Sequence, residues 1–433
     1  MRSLEKIHIY LRTLMKWNPE STKAVQVLVL FDGNDALRQF QNSELNPAEP
    51  FFSFTAYPIA LLARSYSEIR TLIKRPDVLW VEIDALLYLQ LNEVHASLKT
   101  SMIYNSLLEF HGKDVLIGVV DSGIDQTHPD LEGKVIQAVD YTEEGAGDSI
   151  GHGTMVASAI CGTGQSSRGL FRGLAPGAQL IDYKIFNKSG ITSLSNFLAC
   201  LEDIIEDLSV IKCDILYLPF SAAVIDFGRN LLNTYIERLV DAGLLVVSCT
   251  GNFGPDPNTI SYPGSCPEVL TIGAHTSEYT MSFFSGRGGP NYASMKPDFV
   301  MKGTKIVSAV PSDVWKGTRF KQNQNYAVIS GTSIAGALGV GSLAIIKEAF
   351  PQITNVDLKT LLSDHALSLT RRKFSEGNGI LDPLRILEET DRLYPKPLPY
   401  SALVRKSLKY GAIIFFLLMG TYSLLYLLFS TNL

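Results

Sequence analysis

The stretch Ser330-Gly331-Thr332-Ser333-Ile334-Ala335-Gly336 has the residue types and order for acyl-transfer chemistry. A turn of small residues runs straight into an apolar, helix-forming run, Ile334 to Ile346, which predicts Ser333 at or near a helix N-terminus. Backbone N–H groups without intrahelical partners, together with the helix dipole, favour negative charge there. A tetrahedral acyl-transfer intermediate carries an oxyanion and needs such a field. The same pattern also describes a plain N-cap. A nucleophilic serine therefore requires a base, an orienting acid and a second oxyanion donor elsewhere in the chain.

Three upstream segments offer them. Val115 to Val120 is a short β-rich apolar run, read as a buried parallel strand, and it ends in Asp121-Ser122-Gly123-Ile124-Asp125. An acid at the C-terminal end of such a strand lies where open α/β sheets carry their sites. Gly151-His152-Gly153-Thr154-Met155-Val156-Ala157 opens a helix-like run, and its small residues leave room for a neighbour to approach the imidazole. Leu244 to Cys249 reads as a strand ending in Thr250-Gly251-Asn252-Phe253-Gly254. Asn252 is either an ordinary turn residue or an amide donor to an oxyanion.

These four segments resemble the signature blocks of the subtilisin-like serine proteases, in that family's order of Asp, His, Asn, Ser. Asp121 to Asp125 with His128-Pro129-Asp130-Leu131 is similar to the Asp block, Gly151-His152-Gly153-Thr154 to the His block, and Gly331-Thr332-Ser333 to the Ser block. Gly173 to Ala178, Phe284 to Gly288 and Lys296-Pro297-Asp298 add further matches. The resemblance implies a polypeptide substrate attacked by Ser333, with His152 moving the proton, Asp121 holding the imidazole, and Asn252 with the Ser333 N–H binding the oxyanion. It implies substrate contacts at Leu218, Pro219, Phe220, Gly251 and Phe253, with Phe253 giving the first specificity pocket an aromatic, uncharged face.

Departures from the family pattern concern the substrate. Tyr217-Leu218-Pro219-Phe220-Ser221 stands where the family has a Ser-Leu-Gly type run, and Pro219 removes an N–H that strand addition could use. Met301-Lys302-Gly303 replaces an Ala-Pro-Gly, and Ala337 replaces a proline after the nucleophile motif. They motivate an alternative reading, a latent protease fold acting as a binding module with a permanently docked N-terminal domain. No cofactor is expected. Calcium is a candidate only at Asp130, which matches a ligand position of some family members and equally suits a structural acid. Calcium needs six to eight oxygens, and the loop Gly162 to Gly169 does not clearly supply them.

The elements that must position these residues follow from composition and pattern. The chain has 433 residues and a net charge of −5, with no phosphate-cradling loop, so nucleic acid is not expected as a partner. Its five cysteines are an odd number without a CxxC, each in or beside an apolar run, and read as buried free thiols. From 98 to 391 β-rich and helical runs alternate. Strands are expected at Leu180 to Phe186, Ile215 to Leu218, Leu244 to Cys249 and Val269 to Ile272, and helices at Ser193 to Leu208 and Leu231 to Ala242. The fold class is α/β, a subtilisin-like, doubly wound, mostly parallel sheet.

Residues 24–93 form a small α+β unit with strands at Val25 to Phe31, Ile59 to Ala63, Val78 to Ile83 and Leu86 to Leu91 and helices at Asp35 to Gln41 and Ser67 to Lys74, capped by Ser67 or Ser65. A ferredoxin-like sandwich is expected, with one strand out of the ideal order. The unit resembles the inhibitory propeptide of subtilases, which implies an intramolecular inhibitor laying its C-terminal tail in the cleft by strand addition. Self-cleavage is expected between about Leu91 and Ile103 in this zymogen reading.

Residues 1–23 lack a continuous apolar core for a signal peptide. Leu4, Ile7, Leu11 and Leu14 fall at helical spacing beside basic residues, as in a docked helix or a membrane-surface one. The Pro-rich and basic linker 392–410 precedes 411–429, which is apolar, uncharged and long enough for a transmembrane helix into the lipid bilayer. Arg405, Lys406 and Lys409 precede that segment and no charge follows it, which predicts a single-pass, C-terminally anchored protein with its catalytic domain on the cytosolic side.

Overall fold

The computed structural model describes residues 6–17, 22–44, 51–89, 110–208, 210–222, 231–289, 295–314, 323–369 and 372–387. The expected cleavage region beyond Leu91, the linker 392–410 and the transmembrane segment 411–429 lie outside the described residues. The chain divides into two compact units, Met1–Leu384 and Arg385–Leu433. The first holds every element described below.

Its N-terminal part runs α1 (Ile9–Trp17), β1 (Val25–Phe31), α2 (Asn34–Glu44), β2 (Phe52–Ser53), β3 (Ile59–Arg64), α3 (Tyr66–Leu72), β4 (Val78–Ile83) and β5 (Leu86–Tyr88). The first four strands form an antiparallel sheet in the order β2-β3-β1-β4, two interleaved β-α-β units. Alternation along β1 sets its two faces. Val27, Val29 and Phe31 face a core with Leu11, Met15, Leu37, Phe40, Tyr66 and Ile69. Leu28, on the other face, joins the core of the larger part. The described part of the amphipathic segment, residues 6–17, is packed: Leu11 and Met15 are buried against this sheet, and His8 N–H donates to Val81 O at 3.0 Å.

One open choice is settled here and one expectation changes. Ser65, not Ser67, caps α3, because only Ser65 has a glutamate three residues on. Glu68 N–H donates to Ser65 Oγ, and Glu68 Oε2 accepts from Ser65 N at 2.7 Å, a reciprocal capping box. Leu86 to Leu91 is not the fourth strand of this sheet. That place belongs to Phe52–Ser53, too short to show a period, while β5 leaves to pair with the larger part.

The larger part continues with β6 (Leu116–Asp121), β7 (Val135–Asp140), α4 (His152–Cys161), β8 (Gln179–Lys184), β9 (Ile191–Ser193), α5 (Leu194–Asp207), β10 (Ile215–Leu218), β11 (Ser221–Ala222), α6 (Leu231–Asp241), β12 (Leu245–Cys249), β13 (Leu270–His275), β14 (Phe299–Lys302), β15 (Ile306–Ala309), β16 (Tyr326–Ile329), α7 (Thr332–Ala349), α8 (Asn355–His365) and α9 (Lys373–Glu376). Seven strands form a parallel sheet, β14-β13-β12-β10-β6-β8-β7. Strands covered on both faces read as continuous apolar runs, and all five residues of β12 are buried. Strand order departs in both directions from β6, so the C-terminal end of β6, which is Asp121, sits at the topological switch point.

Helix α7 is long and apolar enough to cross a bilayer by composition, yet 78% of it is buried inside the protein. It is a core helix. Its lower end is fastened by Glu348, whose Oε2 accepts from the N–H groups of His111, Gly112 and Lys113 at 2.6, 2.6 and 3.0 Å. All five cysteines are free and buried.

The N-terminal sheet lies on α5 and α6. Phe54 and Tyr57 pack their rings on Tyr235 at 6.4 and 4.8 Å between centroids. Asp84 accepts from Ser195 N and Ser195 Oγ, both at 2.7 Å, in the first turn of α5, and Glu82 accepts from Leu231 N at 3.2 Å at the start of α6. Two acids of one part therefore meet the positive ends of two helices of the other. Just beyond Asp84, β5 inserts between β9 and β11, antiparallel to both.

Candidate active site

Asp121, His152 and Ser333 meet although 31 and 181 residues separate the contacting pairs. Asp121 is the last residue of β6 and fully buried. Its Oδ1 accepts from Ser122 N–H at 2.7 Å, which fixes the carboxylate plane. His152 is the first residue of α4. Nδ1 lies 2.8 Å from both Asp121 oxygens, and Nε2 lies 3.1 Å from Ser333 Oγ. With Nδ1–H donating to the carboxylate, Nε2 is the acceptor for the serine hydroxyl. The approach depends on Gly153, where a Cβ would stand 2.2 Å from Gly123 O.

The N-terminus of α4 is held from outside the helix. Its N-cap is Gly151, at φ +91°, which has no side chain to offer. Asp148 does the capping instead. Its Oδ1 accepts from Gly151 N at 2.7 Å and Ser122 Oγ at 2.9 Å, and its Oδ2 from Thr154 N at 2.9 Å and Thr154 Oγ1 at 2.7 Å. Asp148 thus ties the loop after Asp121 to the helix that begins with His152. Sequence reasoning missed it, since an acid ahead of a Gly-His-Gly turn looks like an ordinary loop residue.

Charges around the imidazole compete with burial. Burial pushes the His152 pKa down, but the Asp121 charge, its hydrogen bond and the Asp148 charge outweigh it, and the net shift is upward. A third buried carboxyl stands behind them. Asp182 of β8 accepts from Ile124 N at 2.9 Å, and its Oδ1 has no partner. Burial pushes its pKa up to about 8, and the neighbouring Asp148 and Asp121 charges push the same way, against the Ile124 bond and Lys184.

Ser333 is the second residue of α7, whose N-cap, Gly331, makes no side-chain capping bond. Asn252 faces this helix start. Its Oδ1 accepts from Thr332 N and Thr332 Oγ1, both at 3.0 Å. A backbone N–H can only donate, so that atom is the amide oxygen and the other is the donor Nδ2. Nδ2 lies 3.7 Å from where a Gly331 Cβ would be, on the Ser333 side of the turn. Asn252 Nδ2 and the Ser333 N–H are thus the candidate pair for a developing oxyanion.

The expected substrate residues are only partly brought here. Gly251, at φ +77°, leads into Asn252 and has no room for a side chain. The side chains of Leu218 and Phe220 lie in the core. Phe220 packs on Phe186 and Phe197 at 5.2 and 4.9 Å, and Leu218 joins the same cluster. Pro219 is buried between them. Two residues later, Ser221 and Ala222 of β11 pair with β5. Phe253 is 51% exposed. Against Gly251 stand two hydroxyls that the sequence reading did not single out, Ser221 and Ser261, joined at 2.7 Å.

Asp130 is held by the protein as a structural acid would be. One carboxylate oxygen accepts from Ser166 N at 2.8 Å and the other from Tyr326 OH at 2.6 Å. Among the described residues no group of three or more His, Cys, Asp or Glu is gathered for a metal.

The profile of the subtilase family matches residues 112–379. Serine protease AprX of Bacillus subtilis (strain 168) is 33% identical over 271 residues, covering 58% of this chain and 61% of AprX. An intracellular serine protease of Paenibacillus polymyxa is 29% identical over 334 residues, covering 74% of this chain and 94% of that protein. Subtilisin E of Bacillus subtilis (strain 168) is 27% identical over 320 residues, covering 72% of this chain and 76% of that one. Among solved structures, fervidolysin from Fervidobacterium pennivorans, a keratinolytic enzyme related to subtilisin, superposes with a TM-score of 0.67 at 18% identity, over 87% of this chain and 62% of that one. That last likeness concerns the fold alone. The chain thus spans somewhat over half the length of AprX and of fervidolysin.

Proposed function

The chain belongs to the subtilase family, and from that premise we propose that it is a membrane-tethered serine endopeptidase, made as a self-processing zymogen. The observation that carries the activity is the single line of contacts from Asp121 through His152 to Ser333 Oγ, at 2.8 and 3.1 Å. Ser333 Oγ attacks the peptide carbonyl as His152 Nε2 takes its proton. Asp121 stabilises the imidazolium so formed, and the carbonyl oxygen becomes an oxyanion between Asn252 Nδ2 and the Ser333 N–H. His152 then gives the proton to the leaving amine, leaving an acyl-Ser333 that water hydrolyses by the same steps in reverse.

The N-terminal part acts as the intramolecular inhibitor in this reading. Its support is β5, which occupies β11 as an added strand of the kind a substrate backbone would form. The same occupancy favours the second reading, a latent binding module whose N-terminal part never leaves. The lipid bilayer is the partner of 411–429, with the catalytic part on the cytosolic side by the basic residues ahead of it.

A fluorophosphonate probe on the full chain separates the readings. The endopeptidase labels at Ser333, and Ser333→Ala abolishes both label and peptide hydrolysis while still folding. N-terminal sequencing of wild type beside Ser333→Ala reads the self-cleavage, expected between about Leu91 and Ile103 only in wild type. A wild type that takes no label on prolonged exposure refutes the enzyme.

A further inference from the structure

The first turn of α7 presents a structural conflict. An ordinary N-cap would accept from the free N–H groups at the helix start. Here Thr332 N is already taken by Asn252, and the Ser333 N–H must stay open for an oxyanion. No side chain caps Gly331. Asn252 holds the turn at Thr332, and any further hold on Ser333 has to leave its N–H untouched.

Tyr217 supplies a donor. It lies in the middle of β10, opposite Val119 of β6 and Val247 of β12, two residues short of the level of Asp121. Its side chain is completely buried. Burial first, then the nearby Cys249 and Asp121, push the phenol's pKa far above its ordinary value, so the hydroxyl keeps its proton. That O–H donates to the backbone carbonyl of Ser333 at 2.5 Å. A carbonyl has two lone pairs, so it can take this bond besides the one inside the helix, and the contact consumes none of the N–H groups.

One position makes the contact feasible. A Cβ at residue 336 would stand 2.1 Å from the Tyr217 hydroxyl and 2.8 Å from Cζ. Gly336 is one helical turn beyond Ser333, in the interior of α7, where glycine costs roughly 1 kcal/mol against alanine. The helix carries that cost and the phenol occupies the space.

We propose that Tyr217 is a positioning residue for Ser333: its phenol clamps the nucleophile's turn through the Ser333 carbonyl, and Gly336 is the seat that admits it. The clamp runs from the strand beside Asp121, so acid and nucleophile are referenced to neighbouring strands of one sheet. This rests on the endopeptidase reading and adds a residue to it.

The test uses the full-length protein. Tyr217→Phe keeps the ring and removes the donor. The expected result is a fall in kcat of about ten-fold, with KM and the acid limb of the pH–rate profile unchanged, and an equal fall in the rate of fluorophosphonate labelling. A net hydrogen bond of about 1–1.5 kcal/mol corresponds to that factor. Gly336→Ala approaches the contact from the other side and should lower kcat further. Combining it with Tyr217→Leu, which vacates the space, should restore part of the loss, whereas independent defects would add. Undiminished kcat and labelling in Tyr217→Phe, or strictly additive losses in the double variant, overturn the clamp while a labelled wild type keeps the protease reading. A wild type that takes no label overturns both.

Discussion

Asn252 offers the sharpest separation of chemistry from structure. Its Oδ1 serves the fold by accepting from Thr332 N and Thr332 Oγ1, and its Nδ2 is assigned to the oxyanion. Asn252→Asp preserves the first role, since a carboxylate oxygen accepts from both Thr332 groups as well as an amide oxygen does. It deletes the second and adds a negative charge where one must develop. Loss of one preorganised donor costs about 2.7–4 kcal/mol, or roughly 10²–10³ in kcat, and repulsion deepens it. Asn252→Ala should lose a similar factor in kcat, and in addition leave two groups at a buried helix start without their acceptor, at about 1–3 kcal/mol of stability for each buried donor so orphaned. The pair is read by steady-state kinetics on a peptide substrate and by thermal unfolding. The reasoning predicts two crippled enzymes, of which only the alanine variant melts clearly lower. If Asn252→Asp hydrolyses at the wild-type rate, the oxyanion assignment is wrong.

Three further outcomes follow from the surrounding contacts. Asp84→Ala removes the acceptor for Ser195 N and Oγ; at about 1 kcal/mol for a lost cap, the N-terminal part should open roughly five-fold more often, and hydrogen exchange along α5 that stays at the wild-type level refutes the role. Asp182 has a folded pKa raised to about 8, so the stability it brings is full below its unfolded pKa and drains away as pH rises through about 8. Asp182→Asn should therefore gain on wild type with rising pH over that window, by at most about 1.4 kcal/mol per pH unit, and parallel unfolding curves would exclude the effect. His152 must be neutral to act as base and its pKa is raised, so the acid limb of kcat/KM should lie above the pKa of a free imidazole; a limb below that value would mean that Asp121 and Asp148 do not outweigh burial.

The catalytic part was legible where local pattern and chemistry coincide. Parallel strands covered on both faces are continuous apolar runs, so β10 and β12 fall within a residue of their expected bounds. The candidate site residues Asp121, His152 and Ser333 each sit where a strand ends or a helix begins, and such junctions are written in glycines and small residues. Legibility fails where the determining contact is remote. Asp148 reaches Ser122 and Thr154, and Tyr217 reaches Ser333 across 116 residues, with no periodicity to announce either. The core placement of the Leu218 and Phe220 side chains has the same origin. Both sit where a cleft strand was expected, and only the rings of Phe186 and Phe197, from other elements, decide that Phe220 is core.

The N-terminal part shows how one misread segment bears on the functional argument. Leu86 to Tyr88 is an apolar run after a strand, and pattern alone assigns it to the nearest sheet. What takes it elsewhere is Asp84, held by Ser195 at the start of α5. From that anchor the chain lies along β9 and β11, beside the turn that carries Asn252. Two acids on helix ends, a sheet face on α5 and α6, and an added strand make three kinds of contact along one interface. The polar ones involve a buried carboxylate, Glu82, and a half-buried one, Asp84, whose pairing weakens when either partner moves. The apolar face is non-directional and tolerates small shifts. An N-terminal part gripped this way should leave as a unit rather than fray, so cutting the chain after β5 ought to release it only when the Phe54 and Tyr57 contacts with Tyr235 are weakened as well. Tyr235→Ala combined with Asp84→Ala should then raise activity towards small substrates more than the two single changes taken together. Strict additivity would show that the two contacts let go independently.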